Sequence, residues 1–334
     1  MSAAERWPTC GSDSASDWCP SAAPSALAAR SRLLSRVRGF FAKRGVLEVE
    51  TPILSRHSVT DPALASLRLD GEGAVGARFL QTSPEFPMKR LLAAGSGPIY
   101  QVCKVFRAGE RGRRHHPEFT LLEWYRPGFT LLALMDEVAE LVRRALDRPE
   151  LSVERSGYRQ LFQSRLDIDP WSTSPAALRD AALRIGLQGA ESLELDTDGW
   201  LDLLLSHVLE PDLGRDGMTL IHDYPPSQAA LARVRPHPFP AAERFELYLQ
   251  GMELANGFHE LTDTVEQRRR FEQDLARRRA QGLPKVPMDT ALLAALAAGM
   301  PDSCGVALGL DRLLMVAIGA STIDQVLAFP VERA

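Results

Sequence analysis

Residues 98–125 constrain the fold of this 334-residue chain most tightly. An apolar run from Pro98 to Phe106 leads into a polar, arginine-rich stretch, 107–117, and a second strand-like run returns from Glu118 to Tyr125. The spacing predicts a hairpin with a long charged tip, since such a stretch is too polar to bury its backbone inside a core. The rest of the chain agrees with an antiparallel sheet flanked by helices. Leu33, Val37, Phe40 and Phe41 share one helical face, with Gly45 as a candidate C-cap, and 46–50 reads as a strand stopped at Thr51-Pro52. Residues 77–81 read as a strand, followed by Ser83 as a candidate N-cap and Pro84 at the first helical position. Helices are predicted at 130–148, 159–166, 175–186, 198–210, 263–281 and 288–299, and strands at 218–223 and 243–252, with a short one near 254–258. Strands and helices do not alternate as βαβ units, so the fold class is α+β. No GxxxxGK[ST] loop occurs, so a nucleotide site here needs devices other than a P-loop.

Composition excludes several classes. A net charge of −4 argues against a dedicated duplex-DNA or membrane-surface binder. No apolar run reaches the length of a membrane span. The N-terminal residues, rich in Ser, Ala, Pro and Asp, show no signal-peptide pattern and predict a disordered leader over 1–26, before a catalytic domain over 27–334. The 4 cysteines lack metal-type spacing and are expected as free thiols in a cytoplasmic protein.

Three segments carry charge where a core would want apolar residues. In FRAGERGRRHHPEFTLLEWY (106–125), strand parity puts Phe119, Leu121, Glu123 and Tyr125 on one face. That face suits the floor of a polar site, although a strand with one solvated face has the same parity. In 244–261, Glu246, Glu253 and Glu260 recur every seven residues. An odd interval alternates faces on one strand, so a bulge or turn at Gly251 or Gly257 must reset it if they are to meet. Hard carboxylate oxygens suit Mg²⁺, and a surface glutamate run is the alternative. In GVALGLDRLLM (305–315), glycines allow close approach of a ligand and Arg312 opens a helix, where a guanidinium can clamp phosphate. Alone, that string is also compatible with a packing turn. The arginine-rich run 268–279 is interleaved with acids and reads as a solvated helix face.

In order and content these segments resemble the three signature motifs of class II aminoacyl-tRNA synthetases: 27–52 as motif 1, 106–125 as motif 2 and 305–315 as motif 3. TSPEFPMKRLL (82–92) and ELANGFHELTD (253–263) resemble the lysyl-tRNA synthetase pocket. Only a short polar segment precedes motif 1, too little for the anticodon-reading OB domain of those enzymes, so the chain is more similar to the elongation factor P–lysine ligase family.

The resemblance implies a class II catalytic fold and a ligase using ATP and Mg²⁺. It would activate (R)-β-lysine or lysine as an adenylate and transfer it to a lysine of elongation factor P, not to tRNA, as a homodimer. Arg107 and Arg312 are the implied catalytic residues. ATP contacts fall on Arg107, Glu110, His115, His116, Phe119, Glu253, Leu254, Gly309 and Arg312, with Phe119 and Arg312 sandwiching adenine and Glu246 and Glu253 holding the metal. The amino acid would meet Ser83, Pro84, Glu85, Glu123, Tyr125, Asn256, Phe258, Glu260 and Ala307. Two departures stand out. Residues 108–110 and His116 differ from the usual motif 2, and Ala307 replaces a customary glycine, as an altered substrate would require.

Overall fold

The computed structural model describes residues 18–71 and 76–334. Strands β1 (Leu47–Glu48), β2 (Leu54–Ser55), β3 (Arg68–Leu69), β4 (Arg78–Leu80), β5 (Ile99–Phe106), β6 (Glu118–Pro127), β7 (Val153–Gly157), β8 (Met218–Tyr224), β9 (Val234–Arg235), β10 (Ala241–Leu249), β11 (Glu253–His259) and β12 (Ser303–Gly309) make two sheets. The larger runs β1-β5-β6-β12-β11-β10-β8-β7, with β9 beside β10, and the smaller runs β2-β4-β3. Pairing is antiparallel except at the rims, where β1 lies parallel to β5 and β7 to β8. The helices are α1 (Pro24–Ala42), α2 (Glu85–Ala93), α3 (Leu131–Leu146), α4 (Tyr158–Leu166), α5 (Pro175–Ile185), α6 (Thr197–Leu204), α7 (Thr264–Ala280), α8 (Thr290–Gly299) and α9 (Leu310–Ile318).

The two faces of the large sheet are covered differently, and that difference makes the site. One face presents Leu122, Trp124, Val306, Leu308, Phe245 and Leu247 to α1, α3 and α9, which bury it completely through Val37, Phe41, Leu134, Val138 and Leu313. Removing such area from water is the main driving force for docking these helices. On the other face, α2, α7 and α8 cover the Ile99–Tyr125 end with Met88, Phe271 and Leu292. Helices α4, α5 and α6 cover the β8–β10 end through Phe162, Trp200 and Tyr224. Between these two apolar clusters the middle of the sheet is left to polar side chains.

Several expectations shift in detail. Cys19 and Ala22 are buried and α1 starts at Pro24, so the boundary drawn at residue 27 falls inside a helix; residues 1–17 of the expected leader lie outside the described residues. Cys103 and Cys304 are free thiols, whereas Cys19 is disulfide-bonded. Lys43, not Gly45, caps α1, and Gly45 (φ 63°) then turns the chain so that the Val46 N–H reaches the Phe41 carbonyl. Pro84, not Ser83, is the N-cap of α2. Ser83 Oγ accepts from the Glu85 N–H at 3.5 Å, and Glu85 takes the first turn, where the helix dipole favours a carboxylate. The small sheet beyond 77–81 was not predicted because its two- and three-residue strands leave no periodicity to read, and the five-residue rim strand β7, VERSG, was missed because it is mostly polar and small.

Candidate active site

Antiparallel register builds the floor of the site in rows. Gln101, Glu123, Ala307, Asn256 and Glu246 lie directly opposite one another across β5, β6, β12, β11 and β10. Two residues along, Ile99, Tyr125, Gly305, Phe258 and Arg244 form the next row. Parity therefore puts Glu123, Tyr125, Asn256 and Phe258 on one face, as read for Phe119 to Tyr125. The glutamate interval is reset by a register shift at Leu247/Tyr248 and by the Gln250–Gly251 turn, both residues at positive φ. Gly257 does not bulge. A Cβ there would stand 2.5 Å from the Phe245 ring, so glycine serves close packing under the floor.

At one end the floor gathers acids. Glu123 is 2% exposed, and its Oε1 accepts from the Tyr125 hydroxyl at 2.6 Å. Glu260, just beyond β11, is equally buried, and Glu85 reaches in from α2. Lys89, which no sequence argument singled out although it lies within 82–92, sits between them: its Nζ is 2.6 Å from Glu85 Oε1 and 2.6 Å from Glu260 Oε2. Burial, then the negative charge of Glu85, pushes Glu123 up to about 8. Burial likewise raises Glu260 to about 7, against the pull of Lys89. Gly305 belongs to the same packing, since a Cβ there would lie 2.3 Å from the Tyr125 ring and 2.5 Å from a Glu260 oxygen.

At the other end a cleft of about 220 Å³ is lined by Arg107, Glu110, His115, Phe119, Glu253, Leu254, Asn256, Ala307, Gly309 and Arg312 among others. The Arg107 guanidinium lies 5.0 Å from the centre of the Phe119 ring and 3.6 Å from Glu110. Arg312 donates to the Glu253 carbonyl at 2.9 Å, and its Nη2 donates to His115 Nε2 at 2.7 Å. Burial and the Arg312 charge lower the His115 pKa, which keeps that nitrogen an acceptor. Asp311, given no role in the sequence reading although it lies within 305–315, anchors this corner. It is 1% exposed, pairs with Arg30 of α1 and accepts from the Thr120 N–H at 2.6 Å.

Two expected ligands of the nucleotide or metal are otherwise engaged. His116 Nε2 accepts from the Val331 N–H at 2.9 Å, which leaves the ring proton on Nδ1, 2.5 Å from the Glu118 carbonyl oxygen. Glu246 accepts from the hydroxyls of Tyr224 and Tyr248, from Arg244 and from Asn256. Four donors occupy the four lone-pair positions of a carboxylate. Leu254 is buried beside the cleft, while Ser83 and Pro84 serve the turn into α2.

Comparisons to known proteins give the family of the chain that carries this geometry. The profile of tRNA synthetases class II (D, K and N) matches residues 15–333. The chain belongs to the class II tRNA synthetase family. It is also similar to curated ligases. One from Enterobacter sp. (strain 638), named elongation factor P–(R)-β-lysine ligase, is 50% identical over 321 residues, 95% of this chain and 98% of that one. The proteins of the same name from Erwinia tasmaniensis and Edwardsiella ictaluri are 50% and 49% identical over 326 and 327 residues, 96% and 97% of this chain and 99% and 100% of theirs. This class II chain is accordingly a ligase, with a mostly antiparallel sheet flanked by helices.

Proposed function

We propose that this ligase activates (R)-β-lysine, or lysine, as an aminoacyl-adenylate and passes it to a lysine ε-amine of elongation factor P. One observation carries the reading: Glu123 Oε2 and Asn256 Oδ1 are buried without hydrogen-bond partners in a pocket already holding Glu85 and Glu260. Buried acceptors call for donors, and a diamino acid brings two ammonium groups. Glu85 and Glu123 would receive one, Tyr125 and Glu260 the other, with Phe258 as a wall. Ala307, midway between Glu123 and Asn256, sets the depth of the floor. The names of the relatives point to the same substrate and acceptor.

The cleft fits a triphosphate. Arg107 would hold the α-phosphate and Arg312 the γ-phosphate, while His115 neighbours the tail. Gly309 leaves room, since a Cβ there would meet nothing but Arg312 side-chain atoms at 3.9 Å. The substrate carboxylate attacks the α-phosphorus and pyrophosphate leaves, a step needing no general base. Positioning and charge neutralisation supply the acceleration. Magnesium, when bound, neutralises phosphate charge. Glu253 is the carboxylate that fits it, and Glu246 would join only by exchanging one of its four donors. The acceptor amine then attacks the adenylate carbonyl, releasing AMP.

The rival reading, a tRNA-charging enzyme whose motif 2 tip (Arg111, Arg113 and Arg114) touches an acceptor stem, is weakened at two of those three arginines. Arg111 is bonded to Asp324 and Glu332, and Arg114 to Glu210 and the Gly251 carbonyl, which spends their charge within the protein. We place the enzyme in the cytoplasm with its translation-factor acceptor; no described helix is long and apolar enough to cross a membrane. A homodimer fits the exposed Leu47, Leu54 and Leu69 (58%, 45% and 47%) near motif 1. The test is transfer of labelled (R)-β-lysine, with ATP, to purified elongation factor P and to lysine tRNA side by side. Label on the protein supports the proposal, and label on tRNA alone overturns it.

A further inference from the structure

Lys89 is the most deeply buried cation of the pocket, 1% exposed, on the face of α2 that also buries Met88 and Leu92. Lysine is rarely this buried unless paired. Here both partners are carboxylates assigned to the substrate: Glu85, one helical turn earlier, and Glu260, each 2.6 Å from Nζ. The neighbours at 88 and 92 pack against Ile99, Tyr125 and Phe271, so the stem of Lys89 has little room to swing away.

The charges show what the residue is for. Once bound ammonium groups draw all three acids into the ionised form, Glu85, Glu123 and Glu260 contribute three negative charges and Lys89 one positive, and 3 − 1 leaves two negative charges. Two is the number of ammonium groups on a diamino acid. We infer that Lys89 is a specificity-determining positioning residue, a built-in ammonium that clamps Glu85 and Glu260 at fixed spacing and trims the pocket to the charge of a diammonium substrate. The inference rests on the reading of Glu85, Glu123 and Glu260 as substrate contacts.

Electrostatics gives the reason for such a device. Clustered buried carboxylates take up protons instead of staying charged, because burial and like charge both favour the neutral form. The groups around Lys89 are Glu85 on its own helix, Glu260 after β11, and Glu123 and Tyr125 on β6, with Cys103 beside Glu123 and Cys304 beside Glu260. Burial alone would depress the Lys89 pKa, yet Glu260 and Glu85 hold it above its ordinary value, so the clamp keeps its charge throughout the working range. Without it, nothing on α2 would oppose the burial and the Glu85 charge that raise Glu260 towards its neutral form.

The test is ATP–pyrophosphate exchange by full-length Lys89→Met, Lys89→Gln and Glu260→Gln between pH 6.5 and 9, with melting curves on each. For both Lys89 variants we expect the KM for (R)-β-lysine to rise about 30-fold at pH 7. The rise should shrink towards pH 9, as Glu260 ionises without its partner, while the KM for ATP stays near wild type. A merely structural role would raise both constants together with no pH dependence. Lys89→Gln keeps a donor between the carboxylates and serves if the Met variant does not fold. An unchanged amino-acid KM at every pH in a folded Lys89 variant, beside a raised one in Glu260→Gln, overturns the inference and leaves the site reading standing. An unchanged KM in all three variants overturns both.

Discussion

Gly305 and Tyr125 are cross-strand partners packed so closely that one added methyl on the glycine would stand 2.3 Å from the tyrosine ring. The same methyl would lie 2.5 Å from Glu260. Gly305→Ala must therefore push apart the two groups proposed to hold a substrate ammonium. Overpacking of this kind costs about 1–3 kcal/mol, and here the loss should fall on substrate binding. The KM for the diamino acid is expected to rise at least tenfold, with ATP binding unchanged, as measured by pyrophosphate exchange with each substrate varied in turn.

Asp311 and Arg30 join motif 3 to the first helix across most of the chain. Asp311 also fixes Thr120 on β6, so one carboxylate aligns three elements around Arg312. Asp311→Ala leaves Arg30 without its partner. Arg30 is partly exposed and keeps the Val326 carbonyl, so the main loss is the buried Thr120 N–H left unpaired; urea unfolding should show a loss of about 1–3 kcal/mol and the KM for ATP should rise.

His116 separates a structural role from nucleotide binding. Its imidazole links the Val331 N–H to the Glu118 carbonyl, tying the C-terminal segment to the motif 2 loop. His116→Ala should lower stability by about 1–3 kcal/mol through the unpaired backbone groups, with an ATP KM within about twofold of wild type. A large rise in the ATP KM at unchanged melting temperature would return His116 to the nucleotide site.

Much of this arrangement was legible in the sequence, and its limits have physical causes. Parity on 118–125 gave the shared face of Glu123 and Tyr125, since strand alternation is set by covalent geometry. The seven-residue glutamate interval demanded a break, and Gly251 supplies it. Lys89 was not legible as a site residue because a lysine at i+4 from a glutamate reads as an ordinary surface pair. Only the docking of α2 under α8 and the arrival of Glu260 make it a buried clamp. The engagement of Glu246 by Tyr224 depends on β8 lying beside β10, a pairing no local pattern announces. The same is true of Arg30 and Asp311.

The acids of the pocket make its behaviour depend on pH. Burial raises Glu123 to about 8 and Glu260 to about 7, well above the unfolded carboxylate near 4.5. A raised folded pKa means that the empty native state holds protons the unfolded chain has released. Stability from these groups is present below pH 4.5 and is lost as pH rises through 7 and 8. The melting temperature of the empty enzyme should fall between pH 6 and 8.5, and Glu123→Gln should flatten the fall. Affinity for a diammonium substrate should move oppositely, improving as the carboxylates ionise.

The central claim is that the pocket selects two ammonium groups and commits them to adenylate formation. ATP–pyrophosphate exchange by the wild-type enzyme with (R)-β-lysine, α-lysine and 6-aminohexanoate tests it most directly. The account predicts strong exchange with a diamino acid and, for the monoamine, a loss of at least a hundredfold, because a buried carboxylate would be left unpaired. Equal exchange with all three, or none with any, would contradict it.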